Sequence, residues 1–335
     1  MSTIRVGIVG AGWIAREHRR VLESAPEAEL VAVCDVDPER AERLASGTGA
    51  RTYLDWRDLL DREDLGALIV CTPPRSHRDP VTAALSHGLP VYLEKPIART
   101  LEDAAEIVTA AGRAGTVCAV GYQWHALDLL DDLPGLLAGQ QVGLLVGTSI
   151  GPTQSRPWFV DMRAGGGNLL ERGSHHLDLA RAVAGEVVTV QAAAARVRLG
   201  GAAEAGEAGG DGDIDDALTI MLELASGALA TVVVAWTRPG QPGRYGLDII
   251  ASEATLRLAL DPDFALSGVS GGQPVARRAA SHPFDRSVHR FLRAVAGHDP
   301  EAVACTPPDA AATLAVAVAA ERALATSRAV KVGTS

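Results

Sequence analysis

No run of about 18 consecutive apolar residues occurs anywhere in this 335-residue chain, which argues against a membrane-spanning helix. Its first residues, Met-Ser-Thr-Ile-Arg-Val-Gly, lack a basic segment followed by a long apolar one, so no secretory leader is read there and a cytoplasmic location is expected. Positive charge is in short supply, with 31 Lys and Arg against 41 Asp and Glu and a formal charge of -10. Nucleic acid and anionic membrane both need a basic footprint, so neither is an expected partner and a small solute is. Cysteine is scarce too. Cys34, Cys71, Cys118 and Cys305 stand far apart with no paired spacing, which supports neither a disulfide framework nor a metal site. Three of them close apolar strand-like runs, where a thiol behaves as a small buried hydrophobe. No internal repeat is present.

What remains is an ordinary globular composition, 47% hydrophobic and 21% charged, in a chain longer than one hydrophobic core usually serves. Two domains are expected, 1–122 and 123–335. Over the first, short apolar runs at 4–9, 30–34, 67–71, 91–93 and 116–120 alternate with amphipathic stretches, the pattern of a parallel sheet with helices on both faces. Asp37-Pro38 and Thr100 with Asp103 announce helix starts by their capping chemistry. Beyond Gln123 the strand-like runs lengthen (142–150, 187–199, 214–224, 228–236, 245–251, 254–260) with one helical stretch near 168–184. This predicts an α+β domain on an open, mostly antiparallel sheet, with the final helix, 310–325, packing back on the first domain. The run 228–236 is apolar on both alternating faces, so its outer face needs a cover, and a second subunit is the simplest one. The glycine-rich acidic stretch 200–213 reads as a mobile loop, either a plain hairpin connection or a lid.

Gly10-Ala11-Gly12-Trp13-Ile14-Ala15 follows the first strand directly and opens a helix. The first glycine permits a tight turn, the second lets backbone approach a pyrophosphate, and Ala15 keeps the helix close to the strand. Phosphates would then meet the free amides and positive dipole end of the helix. Asp35, closing the second strand, is placed to accept hydrogen bonds from an adenosine ribose and to repel a 2′-phosphate, which favours NAD; Arg40 five residues on keeps NADP open. Thr72-Pro73-Pro74 ends the next long strand at the same edge. Glu94-Lys95-Pro96 closes another and sets a lysine where a cofactor's reactive end should lie.

These segments, with Thr72-Pro-Pro-Arg-Ser-His77 and Gly165-Gly-Gly-Asn-Leu-Leu-Glu-Arg-Gly-Ser-His-His-Leu-Asp178, resemble in order and spacing the glucose-fructose oxidoreductase and inositol dehydrogenase family, Gfo/Idh/MocA. The resemblance implies an NAD(P)-binding Rossmann domain and a sugar or polyol substrate. It also implies oligomerisation, as a dimer or tetramer, through the second domain's sheet. By position Lys95 matches the family's active-site lysine, His175 its acid/base histidine, and Glu171 a position usually held by aspartate. Cofactor contacts are expected from Gly10, Gly12, Trp13, Ile14, Asp35, Thr72, Pro73, His77, Glu94, Lys95 and Gln123. Chemically the set is coherent. A group titrating near neutrality takes the hydroxyl proton as hydride leaves carbon, and a lysine charge stabilises the developing alkoxide. On a helix Glu171, His175 and Asp178 would share one face, and a carboxylate there can orient the imidazole. His176 points elsewhere and reads as a packing residue, and no metal set is completed.

Two departures mark where substrate selection should lie: glutamate at 171, and Gly121-Tyr-Gln-Trp-His125, where the family has asparagine and arginine. His125 is read either as a second acid/base or as structural. Trp158 and Arg163 are read as sugar contacts, or Trp158 as a buried anchor. The main expectation is an NAD(P)-dependent dehydrogenase of carbohydrate hydroxyls. Elimination or hydrolysis of a glycoside through transient oxidation by bound NAD, and a non-catalytic sensor of carbohydrate and dinucleotide, stand as alternatives.

Overall fold

In the computed structural model, residues 3–152, 165–196, 215–238, 240–299 and 302–333 are described below. They form two compact units, Met1–Ala126 with Pro283–Ala311, and Leu127–His282 with Ala312–Ser335. Trp158, Arg163 and the stretch 200–213 lie outside the described residues.

The first unit alternates β1 (Ile4–Val9), α1 (Trp13–Glu23), β2 (Ala28–Cys34), α2 (Pro38–Ala45), β3 (Arg51–Tyr53), α3 (Trp56–Arg62), β4 (Ala67–Val70), α4 (Arg78–Ser86), β5 (Val91–Leu93), α5 (Leu101–Ala114) and β6 (Cys118–Val120). All six strands run parallel in the order β3-β2-β1-β4-β5-β6. Every residue of β4, β5 and β6 is buried, the signature of a parallel sheet covered on both faces. The strand order reverses between β1 and β4, and in such sheets ligands bind outside the carboxyl ends of the strands at that reversal. The caps follow their chemistry: Asp37 accepts from the Glu39 and Arg40 amides ahead of α2, and Thr100 from the Asp103 amide ahead of α5.

The second unit begins with a short α6 (Leu133–Leu136) and β7 (Val142–Pro152), then α7 (Ser174–Ala184), β8 (Val187–Ala195), β9 (Ala217–Leu224), β10 (Leu229–Thr237), β11 (Arg244–Ala251), β12 (Ala254–Asp261), β13 (Ala265–Ser270) and β14 (Gln273–Arg278). After it α8 (Pro283–Gly297) returns to the first unit, α9 (Pro307–Thr326) follows, and β15 (Val330–Lys331) pairs with β8. The nine strands lie in the order β14-β13-β12-β11-β7-β10-β9-β8-β15, antiparallel throughout except that β10 runs parallel to β7. The expected fold class stands: a parallel Rossmann-type sheet, then an open, mostly antiparallel one.

The amphipathic helix α8 was not among the elements read from sequence. Its Phe284, Val288, Phe291 and Leu292 join a core with Val6, Ile8, Ile69 and Tyr92, and the Tyr92 and Ser287 hydroxyls lie 3.0 Å apart. In β10 buried residues alternate with half-exposed ones, so its outer face is open in the single chain. All four cysteines are buried thiols.

Candidate active site

The glycine turn is built as a fold device and an anion site at once. Gly10 has φ +93°, and a Cβ there would lie 2.7 Å from the Cys71 carbonyl carbon and oxygen, so only glycine lets β1 turn beside the end of β4. Gly12 differs: a Cβ would meet nothing within 4 Å. It is the N-cap of α1, makes no side-chain cap, and is followed by no acidic residue in the first turn. No side chain caps the first amides of α1 among the described residues, and the space beside Gly12 is open, which suits a pyrophosphate.

Asp35 supports that turn directly. Its Oδ2 accepts from the Ala11 amide at 2.7 Å and its Oδ1 from the Asp37 amide at 2.9 Å. Each carboxylate oxygen keeps capacity for a second bond, so the ribose reading survives alongside this structural duty. Arg40 pairs with the helix-capping Asp37 at 3.2 Å. Trp13 (54% exposed) and Val36 (89%) leave apolar surface beside the turn, whereas Ile14 packs partly into the core. The Thr72 hydroxyl donates to the Ser76 carbonyl, and Pro73 caps the short turn Pro74–Ser76. Gln123, half-buried after β6, has a buried Oε1 with no protein hydrogen-bond partner among the described residues. The residues present thus fit a dinucleotide.

Lys95, half-buried after β5, is one of only two lysines in the chain, the other being Lys331. Two residues expected to touch cofactor, His77 and Glu94, make buried contacts near Lys95. His77 is fully buried, with Nε2 2.8 Å from the Thr72 carbonyl and Nδ1 3.0 Å from that of Pro96. Burial pulls its pKa down although the carbonyl contacts and Glu94 oppose this. It thus sits between the segment after β4 and the lysine loop, its single N–H in the neutral ring donating to one of the two carbonyls. Glu94, also buried, meets His18 of α1 at 2.8 Å and accepts from the Lys95 amide at 3.2 Å. His125 has its Nδ1 3.2 Å from the Ala304 carbonyl within the same unit.

In the second unit the glycine triplet leads into α7 through Gly166 (φ +78°) and Gly167 (φ +63°). The run 168–184 is not one uniform α-helix: Leu169–Gly173 form a π-turn and the α-helix proper starts at Ser174, whose hydroxyl donates to the Leu170 carbonyl. π-Turns inside helices are frequently found at functional sites. Of residues 165–180 all are buried except two, Glu171 and His175. Asp178 departs from the expected shared face. It is buried, accepts from the Thr313 hydroxyl at 2.8 Å, and that hydroxyl accepts from Arg181, which also grips Glu186 through two nitrogens.

His176 is buried, with Nε2 3.2 Å from the Gly246 carbonyl, and burial pushes its pKa down to about 4. Arg172, between the half-buried Glu171 and His175, is buried with its guanidinium on the Gly151 and Pro152 carbonyls. Desolvation lowers its pKa against the nearby Tyr245 and Glu171. Sequence reasoning missed His18, Arg172 and Thr313. Only His18 left a trace, as a polar residue on the buried stripe Ala15, His18, Val21, Leu22 of α1.

Residues 4–122 match the oxidoreductase family with the NAD-binding Rossmann fold, GFO/IDH/MocA, and residues 145–257 match the GFO/IDH/MocA C-terminal domain. The chain belongs to the Gfo/Idh/MocA family. Its first unit is accordingly an NAD-binding Rossmann domain. Among Gfo/Idh/MocA relatives, inositol 2-dehydrogenase 3 of Saccharopolyspora erythraea is 40% identical over 36% of this chain and 36% of its own. The chain therefore spans about a third of that relative's length. The rhizopine catabolism protein MocA of Rhizobium meliloti is 28% identical over 69% of this chain and 71% of its own. Levoglucosan dehydrogenase, solved with NADH and levoglucosan, superposes with a TM-score of 0.84 at 19% identity, covering 99% of this chain and 100% of its own, a likeness of fold.

Proposed function

We propose that this chain is an NAD(P)-dependent dehydrogenase that moves a hydride between a hydroxyl or ketone of a sugar, polyol or related carbohydrate and the nicotinamide. The observation that carries the reading is the isolation of Glu171 and His175 as the two accessible side chains of an otherwise buried sixteen-residue run, 165–180. The glycine turn, Asp35 and Gln123 would hold the dinucleotide, whose nicotinamide ring supplies the hydride acceptor when bound. His175 takes the proton of the substrate hydroxyl, a task for a group titrating near neutrality. Glu171 orients that imidazole and stabilises its charged form. Lys95 lends its charge to the alkoxide that develops. His125, Trp158 and Arg163 complete the substrate contacts. Asp35 favours NAD, and the Arg40–Asp37 pairing at 3.2 Å ties up the cation that would otherwise invite a 2′-phosphate.

A cytoplasmic location suits the acidic balance and the four unbridged cysteines. Among the described residues no helix is long and apolar enough to cross a membrane. Assembly as a homo-oligomer suits the open face of the second sheet. There Leu144, Val146 and Ile150 of β7 stand opposite Leu229, Thr231 and Ala235 of β10, none of them buried.

The test is a screen of sugars and polyols for NADH formation, repeated with NADP. At least one substrate should reduce NAD in step with product, and Lys95→Ala and His175→Ala should each lower kcat by about 100-fold or more while NAD still binds. Turnover without NADH release would move the chain to oxidation-assisted elimination. Dinucleotide binding with no turnover on any carbohydrate would leave a sensor.

A further inference from the structure

Glu94 and His18 form a buried polar pair that the proposed chemistry does not use. They lie 76 residues apart, in the strand-end tripeptide and in the helix of the glycine turn, with Nε2 and Oε1 2.8 Å apart. Both are almost sealed from water, Glu94 at 7% exposure and His18 at 0%. Burying a carboxylate costs several kcal/mol unless its oxygens are satisfied, and an apolar pair of similar volume would serve packing as well or better. The surroundings are instead shaped for the charge. A Cβ on Gly121 would come within 3.0 Å of Oε2, so glycine makes room for the carboxylate after β6. Tyr92 and Phe284 cage the imidazole, at ring-centroid distances of 5.1 and 4.8 Å.

The cage also settles who donates. Among the described residues the buried His18 Nδ1 has no hydrogen-bond partner, so an imidazolium would strand a proton there. Nε2 is the nitrogen that meets Glu94, at 2.8 Å. Other groups feel the Glu94 carboxylate. The Cys71 thiol and the Tyr92 hydroxyl are pushed up by burial and then by Glu94, and at His77 Glu94 works against the lowering caused by burial. The second oxygen of Glu94 accepts from the Lys95 amide. One carboxylate thus grips the backbone of the lysine and the helix that follows the glycine turn.

We propose that Glu94 and His18 are positioning residues for Lys95, fixing the lysine relative to the helix that carries the glycine turn. The inference deepens the reading of Lys95 as the charge that meets the alkoxide, and its test does not depend on turnover. Because Lys95 and Lys331 are the only lysines, isotope-labelled reductive methylation of the full chain gives an NMR spectrum with two lysine signals beside the terminal amine. His18→Leu and Glu94→Gln should each displace the Lys95 signal and leave that of Lys331 in place. His18→Gln, which keeps a donor near Nε2, should return it. With a substrate in hand, kcat should fall about tenfold in His18→Leu with the KM for NAD within about threefold. A Lys95 signal unmoved in folded Glu94→Gln, or not restored by His18→Gln, overturns the proposal and leaves the pair a core tie. A displaced signal in a chain that oxidises no carbohydrate sustains the proposal and sinks the dehydrogenase reading instead.

Discussion

Lys95 and His175 are held in place by different means. Around Lys95 the ties are long in sequence and polar: His18 to Glu94, and Thr72 through His77 to Pro96, all at the edge of a sheet buried on both faces. Around His175 a short tie is added to long ones: Ser174 donates to Leu170 across a π-turn and consecutive glycines steer the backbone, while the flanking His176 and Asp178 reach Gly246 and Thr313. The first arrangement rests on tertiary contacts; the second adds a π-turn and a pair of left-handed glycines to them. Strain placed in each should therefore differ in kind. Gly10→Ala sets a methyl 2.7 Å from the Cys71 backbone in a left-handed conformation, and nothing there can yield. Gly166→Ala, also left-handed at φ +78°, meets the Leu170 side chain, whose Cδ1 and Cγ can turn aside while its Cβ at 2.9 Å cannot. Denaturant unfolding should show Gly10→Ala losing about 4 kcal/mol and Gly166→Ala about half of that. Equal losses would erase the contrast.

Both ends also bury a histidine, and acid should find each of them. His176 is held neutral, its pKa pushed down by burial from 6.5 to about 4, while His77 moves the same way for the same reason. The unfolded chain then binds the proton more readily, so stability rises with pH across this interval. The contribution of His176 is complete above about pH 6.5 and is lost as pH falls towards 4, on the order of 3 kcal/mol in all. His176→Gln keeps a donor for the Gly246 carbonyl without a titrating group, so its melting temperature should fall less steeply between about pH 7 and pH 4.5 than that of the parent chain. Parallel curves would show that His176 is not the group responsible.

What could be read from sequence divides along the same line. The glycine turn, the strand-end lysine and the glycine triplet are local patterns whose spacing carries their meaning, and most of the strands followed from the apolar runs, though β3, β13, β14 and β15 did not. The return of α8 to the first unit did not, although its stripe of Phe284, Val288, Phe291 and Leu292 is plain, because periodicity marks an apolar face without naming what covers it. Glu94 likewise read as a cofactor contact beside the lysine, since its partner lies 76 residues away. Asp178 was misplaced for a related reason. Helical spacing put it on the face of His175, but the position of Thr313, 135 residues on, draws its carboxylate into the interior.

That last contact gives the mildest test. The Thr313 hydroxyl both donates to Asp178 and accepts from Arg181, so Thr313→Val removes one small group and leaves two buried charged groups each short of a bond, at nearly unchanged volume. The cost should be about 1–2 kcal/mol, softened because Arg181 keeps Glu186 at 2.6 and 2.9 Å. Thr313→Ser retains the hydroxyl and should recover most of it. Were Asp178 a working member of the acid/base group, freeing it from Thr313 would shift the pH dependence of turnover along with the melting temperature. If it only anchors α7 to α9, the melting temperature should drop and the pH profile stay put, because the Thr313 hydroxyl serves Asp178 and Arg181 and neither Glu171 nor His175.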